Sequence, residues 1–513
     1  MRSGFRILTV VLVLTGAAAA QASDAPLERG AAIIDPGALR ELDRGRLGLM
    51  HIMMPWRSDD RPLTNEQLFA LPSMAQVAKA LDADIERYIE RHKAALPSES
   101  IGVGTGFAFQ LFDRAQLYSA DTRFVLSGIV NRMDRAYVAP ESCGEIRLIY
   151  RLTQTNAAAI GEAAVTPRLP MTLNVVLKAK GDGNAVTCAE IARRWLAAGS
   201  LDVTGAEFAE KLTGPGGALD LVGPENIDRI ETNLQIAHAP KSASRDFRTD
   251  YLMKVFTYDA ASAAFVESPL EDQIDRERLL KDGKLAREFK AWLLAPEHFS
   301  ELDRGTVLIP DKFLAKSAIA PTPAGFVPSE LMPAYGLVAG ESNNPVFTED
   351  DIVGALEKAA KRGFALQNIR SFAGFARRLN DVACAGCHQT RGIGGFHFPG
   401  VDWMAAKPSN TTVVPASPHF FGDQVRRRDI LTAFRDGKAP DFSKGFASRP
   451  QLRGSTELAG TEYEDGWGAH CYVQHARAGD NDRSFRSWTC AEGLACEAAT
   501  PATRMGMCFV KTR

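Results

Sequence analysis

The pentapeptide Cys384-Ala385-Gly386-Cys387-His388 constrains this chain more than any other stretch. Two thiols two residues apart, with histidine next, have the spacing that covalent attachment of haem requires. One thiol reaches each vinyl carbon of a porphyrin, and the next residue turns an imidazole beneath the iron. A tight disulfide, a redox dithiol or a zinc half-site would use the same cysteines. Zinc wants a second Cys/His pair at ligand spacing, and none stands near this one.

The other end of the chain supports the haem reading independently. Residues 1–22 carry Arg2 and Arg6, an apolar run over 7–20, and Ala20-Gln21-Ala22. A charged start, a short apolar stretch and a small-x-small cleavage site read as a secretory signal peptide. The run is too short for a stable membrane span, and no cysteine at the cut offers a lipid anchor. No later stretch has 18 consecutive apolar residues, so a soluble mature chain, periplasmic or secreted, is expected. Bacteria attach haem covalently outside the cytoplasm, so export and the pentapeptide agree.

Eight cysteines occur, at 143, 188, 384, 387, 471, 490, 496 and 508. Removing the haem pair leaves six, an even number in an oxidising compartment, and predicts three disulfides. Cys143 is expected to pair with Cys188, and Cys471, Cys490, Cys496 and Cys508 among themselves, with three connectivities open. His470 and His475 beside Cys471 suggest a metal less strongly than a disulfide does. A net charge of −2 gives no reason to expect nucleic-acid binding or a membrane-surface role.

Local patterns place elements along the chain. Leu81, Ile85, Tyr88, Ile89 and His92 recur at helical spacing behind Ser73. Ile146, Leu148, Tyr150 and Leu152 alternate with Arg147 and Arg151, the mark of a half-buried strand. Further strands are expected over 171–178, 229–237 and 251–258, and a long helix over 275–294. Thr187 with Glu190, and Thr348 with Asp351, resemble helix-opening caps. Helices are expected over 348–361, 365–379 and 423–434, the second leading straight into Cys384. Prolines at 321, 323, 328, 333 and 345 mark a linker. The expected organisation is a signal peptide (1–22), an α+β domain (24–320), a Pro/Gly linker (321–347), a haem module (348–445) and a disulfide-stapled segment (446–513). Gly102, Gly104 and Gly106 lack dinucleotide-binding spacing, and Asp202, Asp220 and Asp228 form no recognisable catalytic pair.

Over roughly 348–437 the chain resembles the c-type cytochromes. The resemblance rests on a helix entering Cys384-Ala385-Gly386-Cys387-His388, the glycines Gly392, Gly394 and Gly395, and Pro399. It implies a mainly α cytochrome c-like module with one covalent haem c and His388 as proximal iron ligand through Nε2. It also implies that the Pro399 carbonyl accepts the Nδ1–H of His388 and fixes its tautomer. The sixth ligand departs from the family, because Ser417-Pro418-His419-Phe420 stands where methionine is usual. His419, His397, Met404 and an open iron all remain candidates. Methionine raises the potential, paired histidines lower it, and an open site permits ligand chemistry. Arg391 is a candidate partner for the haem propionates, and Arg426-Arg427-Arg428 for an acidic redox partner, unless they only form solvated faces.

The expected function is therefore electron transfer, one electron at a time, by an exported cytochrome with an unknown redox partner. A haem-dependent oxidoreductase or peroxidase, with substrate at a domain interface, is the alternative, and a haem sensor is a third. A single Cys-x-x-Cys-His counts against the two-haem peroxidases.

Overall fold

A computed structural model of the chain describes residues 31–59, 61–154, 168–179, 186–238, 249–322, 337–338, 345–383, 424–444, 470–472, 494–497 and 505–510. The signal-peptide reading over 1–22 lies outside the described residues. The chain opens with β1 (Ala32–Ile33), α1 (Pro36–Arg44), α2 (Leu49–Met53), α3 (Asn65–Phe69) and α4 (Ala75–Ala95). Then come β2 (Ile101–Val103), β3 (Phe109–Leu111), β4 (Thr122–Arg132), β5 (Glu145–Gln154) and β6 (Arg168–Lys178). Helices α5 (Cys188–Gly199) and α6 (Gly205–Thr213) lead to β7 (Ile227–His238), β8 (Thr249–Asp259) and β9 (Ala264–Ser268). Helices α7 (Arg276–Lys281), α8 (Gly283–Leu293) and α9 (Pro296–Arg304) precede β10 (Ala318–Thr322). The last helices are α10 (Glu349–Lys361), α11 (Phe372–Val382) and α12 (Gln424–Arg435).

Strands β1 to β10 form one sheet, with the path β1-β4-β5-β6-β7-β3-β2. Strand β8 pairs with β7, β9 and β10. Every pairing is antiparallel except β2 with β3. Strands β11 (His470–Tyr472), β12 (Leu494–Glu497) and β13 (Met505–Val510) form a second, antiparallel sheet.

Short polar side chains set the helix boundaries. Asp35 accepts from the Ala38 N–H at 2.7 Å, with Pro36 in the first helical position, and starts α1. Thr187 accepts from the Glu190 N–H at 3.2 Å and starts α5. Thr348 and Asp351 exchange caps at the start of α10, and Lys290 of α8 donates to the same Asp351 carboxylate at 2.9 Å. The single helix expected over 275–294 is two, because Asp282 breaks it and accepts from the N–H groups of Lys284 and Leu285.

The expected succession of an α+β domain, a mainly α cytochrome c-like module and a small disulfide-rich segment is corrected. The described residues form a large antiparallel sheet with helices, and the helices expected in the module do not pack on each other alone. Ile352, Ala355 and Ala359 of α10 and Phe375 and Leu379 of α11 share one apolar core with Leu279, Phe289, Leu293, Phe299 and Leu302 of α7 to α9. Phe375 lies 5.1 Å from Phe347 and 6.0 Å from Phe299, ring to ring. Leu431 of α12 joins the other core, built on the sheet, and α12 packs against α5 and the turn Met133–Arg135. The physical reason is that each helix buries its apolar stripe where the upstream chain offers a partner. From the expected linker, Leu337, Val338 and Phe347 are themselves buried in that helical core.

One carboxylate organises the approach to the pentapeptide. Asp303, at the end of α9, is buried and accepts from the backbone N–H groups of Gln367, Asn368 and Ile369 at 2.8, 2.8 and 2.6 Å. Arg378 of α11 donates to the Asp303 carbonyl at 2.9 Å. Helix α11 then ends at Val382, and Ala383 is fully buried. Asp303→Ala strands three backbone donors, that of Ile369 buried, and is expected to lower stability by about 2 kcal/mol, read as a fall in the denaturation midpoint. An unchanged midpoint would show that these bonds are replaced by water.

Candidate functional site

The residues read from the sequence as haem ligands and contacts do not fall on described elements. Cys384, Cys387, His388, Arg391, His397, Pro399, Met404 and His419 all lie outside the described residues. Among the described residues, no cluster of three or more His, Cys, Asp or Glu side chains is arranged to hold a metal ion.

What the structure does bring together is a buried lattice of charge on one face of the sheet. Register puts Arg132 of β4 opposite Glu145 of β5, and Val176 of β6 between Arg147 of β5 and Arg229 of β7. Residues two apart on a strand share a face, so Glu145 and Arg147 join Arg229 and Glu231 there. Arg147 donates to Glu145 and to Glu231, each at 3.0 Å. Arg229 donates to Glu145 at 2.8 Å and to Glu231 at 3.0 Å. Arg135 forms an ion pair with Glu145 at 3.1 Å and donates to Glu271 at 2.9 Å. Burial opposes ionisation of Glu145, but Arg135, Arg229 and Arg147 hold its carboxyl well below the usual range.

A second part of the lattice surrounds Asp134. Arg132 donates to its two oxygens at 2.8 and 3.2 Å, and Arg426 of α12 donates at 2.9 Å. Burial would raise this carboxyl, yet Arg132, Arg427 and Arg426 hold it well below the carboxylate range. The arginine triplet is thus neither a simple solvated face nor an open docking patch: Arg426 is ion-paired and Arg427 is buried, while Arg428 is exposed.

Beside Arg135 sits Asp272, a buried residue with φ of 56°, in the left-handed region that non-glycine residues seldom occupy. Its carboxyl accepts from the Ile309 N–H at 3.0 Å. Burial first, then the charge of Glu271, push it up to about 8, so it is a neutral acid at pH 7. Lys444, 5.9 Å above the Tyr137 ring, is pushed down to about 8 by burial and then by Arg426. Because the folded pKa of Asp272 exceeds its unfolded value, its stabilising contribution is complete below pH 4 and is lost as pH rises through about 8. Asp272→Asn keeps the neutral shape and removes that loss. The variant is expected to gain on the order of 5 kcal/mol over wild type between pH 4 and pH 8. Thermal unfolding followed across that range checks it, and parallel curves for the two proteins would contradict it.

Sequence reading missed this lattice. Alternation of Arg147 and Arg151 with apolar residues suggested one solvent-facing side, whereas both arginines are buried. The available signal was the density of opposite charges on adjacent segments: Arg132-Met133-Asp134-Arg135, then Glu145-Ile146-Arg147.

Cys143 and Cys188 form a disulfide, as expected from the cysteine count, and it ties the entry of β5 to the start of α5. Cys496 is also disulfide-bonded. Among the described residues no helix is long and apolar enough to cross a membrane. A scan against protein-family models, a search of curated proteins and a search of solved structures each find no match for this chain.

Proposed function

We propose that this chain is an exported protein that holds one covalent haem on Cys384 and Cys387, with His388 as proximal iron ligand, and that it passes single electrons. The observation that carries the reading is the pentapeptide Cys384-Ala385-Gly386-Cys387-His388. Its donor chemistry fits haem: two thiols for the vinyl carbons and one imidazole for iron. When bound, the haem supplies a one-electron iron couple. Export is supported by the charged, then apolar, start of the sequence and by the Cys143–Cys188 disulfide, since such bonds persist in oxidising compartments.

The chain's own residues prepare the attachment point. Asp303 and Arg378 secure α11, and Ala383, one residue before the first thiol, is locked in the helical core. Arg391, Pro399 and the sixth-ligand candidates His419, His397 and Met404 remain part of the proposal on sequence grounds.

A redox titration with and without carbon monoxide tests the role. The expected result is one reversible one-electron wave and no rapid carbon monoxide binding to the reduced protein. Rapid binding would replace electron transfer with the oxidoreductase or sensing alternatives. Spectra of His419→Ala, His397→Ala and Met404→Ala identify the ligand, because only the true one turns low-spin iron high-spin.

A further inference from the structure

We propose that the cavity between α5, the adjoining ends of β5 and β6, and the loop 217–222 binds a short aliphatic carboxylate. The proposal does not rest on the haem reading.

The first argument is an unused donor. Trp195 of α5 lines the cavity and is fully buried, and its indole Nε1–H has no hydrogen-bond partner among the described residues. An indole nitrogen only donates, so whatever fills the space must present an acceptor. Leaving a buried donor unsatisfied is costly, which makes an acceptor there worth more than one at the surface.

The lining gives the rest of the chemistry. Ile146, Ile191, Leu221 and Val222 supply apolar walls, and Ala179 and Ala218 are small enough to leave room. The empty space amounts to about 310 Å3, part of it open to solvent, which suits a short chain and excludes a large ring system. The two ionisable residues in the lining are Lys178 and Arg194, both cationic. Each already has acidic partners: Asp228 lies 3.3 Å from Lys178, and Arg194 donates to Glu190 at 2.9 Å and to Asp220 at 3.3 Å. Those acids do not line the cavity. The occupant therefore meets aliphatic carbon, one neutral donor and positive charge, a combination that favours an alkyl chain ending in a carboxylate.

The walls are held in place without an occupant. Arg46 donates through Nη2 to the carbonyls of Leu219, Asp220 and Val222 at 2.9, 2.8 and 2.6 Å, and the Asp220 carboxylate accepts from the Gly216 N–H at 2.9 Å. Gly217 belongs to the same wall, and a Cβ there would collide with the Leu212 carbonyl. On the other side, Ala179 accepts from the Cys143 N–H at 2.9 Å and donates to the Gly144 carbonyl at 2.8 Å. The Cys143–Cys188 disulfide ties that pairing to the first residue of α5, whose next turns carry Ile191, Arg194 and Trp195 on one face. A site already standing spends little of its binding energy on ordering.

The test uses the dialysed full chain, titrated calorimetrically with sodium butyrate and with butyramide, its neutral counterpart, at fixed ionic strength. One saturable site for butyrate is expected, with butyramide weaker by about tenfold. Trp195→Phe keeps a ring but removes the donor, and is expected to weaken butyrate by about tenfold. Lys178→Gln changes a partly exposed side chain, and is expected to weaken butyrate while leaving butyramide unchanged. If Trp195→Phe does not fold, Lys178→Gln and the wild type still decide, because butyrate must raise the wild-type unfolding temperature above that in chloride of equal ionic strength. No saturable binding of butyrate to wild type, the result for a cavity that holds only water, overturns the proposal. So does equal binding of butyrate and butyramide, or unchanged butyrate affinity in both variants.

Discussion

Replacing Cys384 and Cys387 together with alanine is expected to leave the chain without the covalent haem proposed for it. The wild type, produced with a cytochrome c maturation system, is expected to keep peroxidase stain after denaturing electrophoresis, and the double variant to show none. The expected effect is total, because no other Cys-x-x-Cys-His occurs to substitute. The single variants are expected to retain one thioether each and a reduced yield. His388→Ala separates attachment from ligation: both thiols remain, but the axial imidazole is lost. Stain that survives the double alanine substitution would place haem elsewhere and end the reading of the pentapeptide.

Glu145→Ala is expected to be among the most destabilising single substitutions in the described residues. Its carboxylate is shared by Arg135, Arg147 and Arg229, all within 3.1 Å. Removing it leaves three buried guanidiniums to share Glu231 and Glu271. Breaking a buried ion pair by deleting one partner costs about 3–5 kcal/mol, because the remaining charge is stranded. Glu145→Gln keeps the shape and should cost less. The linkage has a sign. Glu145 and Asp134 have folded pKa values below their unfolded ones, so their contribution is present above the ordinary carboxylate range and is lost as pH falls through it. Wild type should therefore destabilise steeply in acid, and Glu145→Ala should show a shallower acid slope from a lower starting point. Denaturant midpoints at several pH values measure both. Equal midpoints for wild type and Glu145→Ala at pH 7 would show that the lattice contributes little.

Local signals in this sequence were legible, and long-range ones were not. Thr187 and Thr348 marked true helix starts because a cap is a contact within one turn. The Cys143–Cys188 bond followed from the even cysteine count and from the clustering of the other four near the end of the sequence. Strand β4 escaped notice because it is buried along nearly its whole length, so Phe124, Val125, Leu126, Ile129 and Val130 form a near-continuous run without alternation. The partition of the helices failed for another reason. Whether Phe375 packs on α10 alone or also on Phe299 depends on chain 76 residues away, and no window of sequence contains that choice. The charge lattice was hidden by the same logic: Arg147 reads as solvent-facing until Glu231, 84 residues on, is placed beside it. The haem reading rests on five consecutive residues that lie outside the described ones.

On the proposed reading, the mature chain carries haem covalently on Cys384 and Cys387. The intact mass of the purified mature protein, taken under denaturing conditions, tests it most directly. The expected mass is that of the polypeptide cleaved after Ala22 plus one haem, with neither Cys384 nor Cys387 open to alkylation. The mass of the bare polypeptide, with both thiols alkylated, would contradict it.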